Sequence, residues 1–212
     1  MIKIEIKDVR KEFKGHKVLT NINVSFVSGN IYGIVGRNGS GKTVLFKLIC
    51  NMMQPGSGVI TCNGIPITQK DVLCGNLGVV IERTDFIGDF SAVKNLKYLT
   101  SLNQNVGLNT IKATLEMIGL DPDSKQKYKN YSFGMKQKLA LAQALYENPE
   151  ILILDEPFNS LDKESIEKMK TLLIRARNEG KLILLATHNQ SDLDELCDKQ
   201  YTIEDGNLVE KT

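Results

Sequence analysis

Apolar and charged residues alternate at Ile2, Ile4 and Ile6 and again through Ile22, Val24 and Phe26, the period-two rhythm of half-buried strands. With VIT at 59–61, these segments predict an antiparallel β portion near the start. IYGIV at 31–35, VVI at 79–81, ILIL at 151–154 and LILLA at 182–186 are instead continuous apolar runs, as expected of strands buried on both faces. Helical patterns separate them, so they predict a parallel sheet. Leu45, Leu48, Ile49 and Met52 recur at i, i+3, i+4, i+7 and predict a helix packed on that sheet. From about 85 to 149 the strand rhythm is absent, and three helical stretches stand at 91–103, 110–118 with Gly119 as a stop, and 133–147. The expected organisation is one α/β core, 1–84 and 150–212, with a helical lobe at 85–149 inserted into it. Asp205-Gly206, within YTIEDGNLVE, predicts a hairpin.

Composition narrows the class. The chain has 212 residues, 27 Lys+Arg against 25 Asp+Glu and a formal net charge of +2, ordinary globular usage that gives no electrostatic support for nucleic acid as the main partner. Its apolar runs fall well short of the roughly 20 residues of a spanning helix, and MIKIEIKDVRKEF lacks the apolar core of a secretory signal. Cys50, Cys62, Cys74 and Cys197 form no CxxC pair and have no His at ligand spacing, which favours reduced thiols in a cytoplasmic protein.

Chemistry concentrates in a few segments. GRNGSGKT, 36–43, fits G-x-x-x-x-G-K-[ST] between an apolar strand and an amphipathic helix, the setting of a phosphate-binding loop. Its glycines let backbone N–H groups turn inward, and the helix N-terminus adds positive potential. Lys42 is placed to reach β and γ phosphates, and Thr43 to offer a hydroxyl to Mg²⁺. Asp155 and Glu156 close ILILDE at the C-terminal end of a buried strand, where ligands sit in open α/β sheets. Asp155 is suited to hold Mg²⁺ and Glu156 to orient or deprotonate an attacking water; the alternative is a pair capping the next loop. His188, just past LILLAT, reads either as a γ-phosphate contact or as a satisfied loop residue. Ser132 reads either as the N-cap of the helix bearing Met135, Leu139, Ala142 and Tyr146, or with Gly134 as a second anion site.

Taken together, these motifs resemble the nucleotide-binding subunit of an ATP-binding cassette (ABC) transporter along essentially the whole chain. GRNGSGKT resembles its Walker A loop, YSFGM its signature motif, ILILDE its Walker B strand, NSLD at 159–162 its D-loop and His188 its switch histidine. The resemblance implies a RecA-like P-loop NTPase fold and the binding of ATP and Mg²⁺. Phe13 would stack on adenine with Val18 beside it. Gly36, Arg37, Asn38, Gly39, Ser40, Gly41, Lys42, Thr43 and Val44 would surround the phosphates, with Lys42, Glu156 and His188 in catalysis. It further implies a head-to-tail dimer, expected to be of identical chains, in which Ser132, Gly134 and Asp162 meet the nucleotide interface in trans. A membrane permease is the expected partner, placing the subunit on the cytoplasmic face of the membrane.

Two departures stand out. The signature reads YSFGM where LSGGQ is usual, and VVIE puts Glu82 where a Q-loop Gln usually contacts Mg²⁺. Both features are similar to bacterial exporter cassettes for drugs, bacteriocins and lantibiotics. The competing reading, a soluble ABC ATPase acting on ribosomes or DNA, lacks its expected second cassette, long coiled coil or basic patch. Absence of NKxD argues against a GTPase.

Overall fold

The computed structural model describes residues 1–67, 76–82, 84–103 and 106–211, the side chains of 101–103 excepted. Strands β1 (Lys3–Phe13), β2 (His16–Val27) and β3 (Asn30–Val35) precede helix α1 (Lys42–Ile49), β4 (Ser57–Cys62), β5 (Ile65–Pro66) and β6 (Leu77–Val80). Helices α2 (Ala92–Asn103), α3 (Leu108–Met117) and α4 (Phe133–Leu145) follow, with a 3-10 turn at Tyr128–Asn130. The remainder runs β7 (Ile151–Asp155), α5 (Lys163–Asn178), β8 (Leu182–Ala186), α6 (Gln190–Leu196), β9 (Lys199–Glu204) and β10 (Asn207–Lys211).

Two sheets result. One is antiparallel, in the order β2-β1-β4-β5; the other has the order β10-β9-β3-β8-β7-β6 and is parallel except for β10. Three of the four apolar runs occupy inner strands of the second sheet, β3, β8 and β7, because each has two faces to bury; the fourth, VVI, falls on the edge strand β6. Tyr32, Ile34, Ile153, Leu182 and Leu184 join the core that α1 shares with the antiparallel sheet. Their neighbours Ile31, Leu152, Leu154, Ile183 and Leu185 pack on the opposite face with residues of α4, α5 and α6. Each such fully buried side chain contributes about 1.5–3 kcal/mol of transfer free energy.

Helix α4 serves two cores at once. Ala140, Leu141 and Ala144 face the parallel sheet, whereas Leu139, Ala142 and Tyr146 face a separate cluster with Leu96 of α2 and Ile111 and Leu115 of α3. Buried Asn95 accepts from the Ile87 N–H (2.9 Å) and donates to the Ile87 carbonyl (3.2 Å), tying the segment after β6 onto α2. At the C-terminal hairpin, Asp205 and Gly206 have φ of 46° and 77°, as a tight two-residue turn requires. The Gly206 carbonyl accepts from the Thr20 N–H (2.8 Å), joining that hairpin to β2.

The structure corrects two expectations. Met52 is not on the buried face of α1: the helix ends at Ile49, Asn51 turns left-handed at φ 56°, and Met52 is exposed. Cys62 is disulfide-bonded, while Cys50 and Cys197 are free. The CxxC test registers only near neighbours in sequence, so it is blind to such a bond; Cys74 lies outside the described residues. Among the described residues, no helix is long and apolar enough to cross a membrane.

Gly78 marks where β6 and α4 meet. A Cβ there would run into the Ala144 backbone carbonyl and stand 2.7 Å from Pro149 Cγ. Gly78→Ala should therefore destabilise the fold by about 1–3 kcal/mol, seen as a lower urea midpoint with an unchanged m-value.

Candidate nucleotide site

The loop after β3 makes the first part of the site. Gly41 has φ 109°, and a Cβ on it would lie 2.9 Å from Leu19 Cδ2, so both conformation and space demand glycine. That turn starts α1 at Lys42, and the N–H groups of a helix's first turn have no intrahelical partner. Lys42 is buried, and its Nζ donates to the carbonyls of Gly36 (2.7 Å) and Arg37 (3.2 Å). Ser40 donates its N–H to the Arg37 carbonyl (3.1 Å). Its Oγ is buried without a hydrogen-bond partner among the described residues, an arrangement that costs about 1–3 kcal/mol until a ligand satisfies it. A cationic loop with an orphaned hydroxyl fits an incoming phosphate.

The strand ends supply carboxylates. Thr43 Oγ1 donates to Asp155 Oδ2 at 2.5 Å, joining the two side chains best suited to a divalent cation. Burial pushes the Asp155 carboxyl above the usual range; the Thr43 hydrogen bond and Lys42 oppose this, and negative Glu156 and Glu82 reinforce it. Glu156 has φ 52°, a left-handed conformation uncommon for its residue type. Its N–H donates to the Ala186 carbonyl (2.8 Å), and its Oε2 lies 2.9 Å from His188 Nδ1.

A cleft of about 730 Å³ collects these groups. Phe13 and Val18 line one wall, residues 38–44 the floor, and Glu82, Asp155 and Glu156 a further edge. Phe13 is partly exposed, with Lys11 Nζ 5.4 Å from its ring centroid. Glu82 has φ 57° and pairs with Lys47 at 2.7 Å.

Other expected residues stand outside the lining. Gly36 and Arg37 face Lys42 through their carbonyls, and His188 stands behind Glu156. Ser132 caps α4, its Oγ accepting from the Met135 N–H (3.2 Å). A Cβ on Gly134 would lie 2.7 Å from the Ser160 carbonyl, so glycine permits that close approach. Asp162 caps α5, accepting from the Ser165 N–H (2.8 Å) and hydroxyl (2.9 Å).

Lys47 and Gln137 were not anticipated. Both follow from helical spacing once a neighbour is placed: Lys47 is i+4 from Thr43, and Gln137 is i+4 from Phe133, which also lines the cleft.

A phosphate loop, paired strand-end carboxylates and an adjacent histidine on this parallel sheet define a P-loop nucleotide-binding domain. Residues 19–159 match the family described as ABC transporter. An uncharacterised ABC transporter ATP-binding protein, YybJ of Bacillus subtilis (strain 168), is 33% identical over 97% of this chain and 94% of its own length. The bacitracin transport ATP-binding protein BcrA of Enterococcus faecalis is 32% identical over 98% of this chain and 68% of its own. The lantibiotic transport ATP-binding protein SrtF of Streptococcus pyogenes is 30% identical over 97% and 89%. A bacterial ABC transporter cassette solved as a dimer superposes with a TM-score of 0.87 at 24% identity, covering 99% of this chain and 98% of that one, a likeness of fold. The chain belongs to the ABC transporter family, as one of its ATP-binding ATPase cassettes.

The raised Asp155 carboxyl yields a pH-dependent prediction. Its ionised form is disfavoured by folding, so the penalty is fully present above the raised folded pKa and disappears below the ordinary aspartate range. In nucleotide-free protein, Asp155→Asn should raise the thermal midpoint at pH 7, with the gain shrinking as the pH is lowered through that range. Equal midpoint shifts at pH 7 and at low pH would contradict it.

Proposed function

We propose that this chain hydrolyses ATP to power a separate membrane permease, and that it serves the export of peptide antibiotics or related compounds. The observation that carries the reading is the convergence of Lys42, Thr43, Asp155 and Glu156 on one cleft, with His188 against Glu156. Relatives transporting bacitracin and lantibiotics support the cargo class. The net charge of +2 gives a nucleic-acid role no comparable support.

Phe13 and Val18 supply an apolar face for adenine, and the N–H groups around Gly39 to Val44 receive phosphate oxygens. Phosphate binding draws Lys42 Nζ from the Gly36 and Arg37 carbonyls toward the γ-phosphoryl charge. Glu156 orients a water and takes its proton as the new phosphorus–oxygen bond forms and the bond to the ADP leaving oxygen breaks. His188 holds the Glu156 carboxylate and offers its ring to the γ-phosphate. Mg²⁺, when bound, neutralises charge on the phosphates; Thr43 and Asp155 would hold it, with Glu82 at the edge of the same cleft.

Two identical cassettes pair head to tail in this proposal, with Ser132 and Gly134 facing the partner's nucleotide and Asp162 near the interface. Residues 85–149 act as the helical subdomain, and the subunit sits on the cytoplasmic face through its permease.

Lys42→Ala should weaken ATP binding at least tenfold, while Glu156→Gln should retain binding and lose at least a hundredfold in kcat, measured by nucleotide titration and phosphate release. Equal binding loss in both would contradict the roles. Ser132→Arg should leave binding by the single chain within about twofold yet abolish the ATP-dependent dimer that Glu156→Gln accumulates, read by sedimentation.

A further inference from the structure

Gln137 is half-buried on α4, and its amide Nε2 donates to the Pro157 carbonyl at 3.0 Å and approaches the Glu156 carbonyl at 3.5 Å. These are the two backbone carbonyls immediately after the Walker B aspartate. The Glu156 backbone is held left-handed from its other side, where its N–H reaches the Ala186 carbonyl of β8. Downstream, the Asn159 N–H donates to the Glu156 carbonyl (3.3 Å), closing a turn over buried Pro157 and Phe158. The Asn159 N–H answers the Glu156 carbonyl from within the turn, whereas the Pro157 carbonyl is met from α4 by Gln137.

Helix α4 touches this turn twice. Its first turn brings Gly134 against the Ser160 carbonyl, and its second brings Gln137 against Pro157. The same helix begins at Ser132, whose side chain is its cap. A left-handed residue persists only where its surroundings over-determine it, and here one of those restraints comes from α4.

We infer that Gln137 is a positioning residue that fixes the turn carrying Glu156, so that the placement of the α4 N-terminus sets the placement of the general base. The inference rests on the reading of Glu156 as that base. Gln137 touches no reacting atom; it acts through the backbone of Glu156 and Pro157. Only its amide donor matters for this, which separates it from neighbours that merely pack.

The full chain tests this with three variants and two readouts. Gln137→Glu keeps the shape but replaces the donor with an acceptor facing a carbonyl, Gln137→Leu removes both, and Gln137→Lys keeps a donor of sufficient reach. Hydrogen–deuterium exchange of the peptide 154–161, measured without nucleotide, should be about three- to tenfold faster in the Glu and Leu variants and near wild type in the Lys variant. For ATP hydrolysis, kcat should fall at least tenfold in the Glu and Leu variants with KM within about twofold, and Gln137→Lys should recover most of the rate.

Unchanged exchange in the Glu and Leu variants, or equal loosening by Gln137→Lys, overturns the inference. So does a rise in KM at constant kcat, or a rate loss matched by a fall in folded fraction. Wild-type turnover in Glu156→Gln would instead remove the base assignment, and the exchange data would still report whether Gln137 holds the turn.

Discussion

Because β8 pairs with β3 on one side and β7 on the other, and neighbouring strands lie about 4.8 Å apart, the C-terminal ends of three parallel strands meet within about 10 Å. The phosphate loop leaves the first end, His188 follows the second, and Asp155 and Glu156 close the third. Thr43 and Asp155 are 112 residues apart in sequence yet share a hydrogen bond across this junction. A slip of one residue in either pairing would turn each strand's side chains to the opposite core and separate these groups. The buried alternation of Leu152, Ile153 and Leu154 between two cores therefore specifies the register on which the chemistry depends.

Much of this was legible along the chain because burial on two faces leaves continuous apolar runs, which no helix of one apolar stripe imitates. The loop 36–43 was legible because its glycines, lysine and threonine occupy fixed places between a strand and a helix. The end of α1 was not: Met52 keeps the helical spacing, but Asn51 adopts a left-handed turn that periodicity does not register. At Asp162 the structure adds a local role that the motif does not announce: its carboxylate answers the bare N–H groups at the start of α5. Lys47 and Gln137 escaped notice because their partners, Glu82 and Pro157, lie on other elements, brought near only by the fold.

Charge in the cleft is balanced locally. Glu82, Asp155 and Glu156 line it together, and the negative neighbours help raise the Asp155 carboxyl. Lys42 sits opposite them, and Lys47 meets Glu82. The Lys47–Glu82 pair is largely exposed, so it contributes little to folding, about 0–1 kcal/mol. Its consequence is local: the glutamate that departs from the usual glutamine arrives with a counter-charge, which limits the added negative potential beside Asp155.

The sheet order also dictates when the molecule can become itself. Strand β3 is made by residue 35, but both of its neighbours, β8 and β9, begin at Leu182 and Lys199. During synthesis β3 emerges long before the strands that flank it. Its edges and the face it turns toward α5 and α6 stay uncovered, while α1 can already meet the antiparallel sheet. Folding of the core is thus tied to contacts of high sequence separation, the regime in which chains fold slowly and expose hydrophobic surface longest.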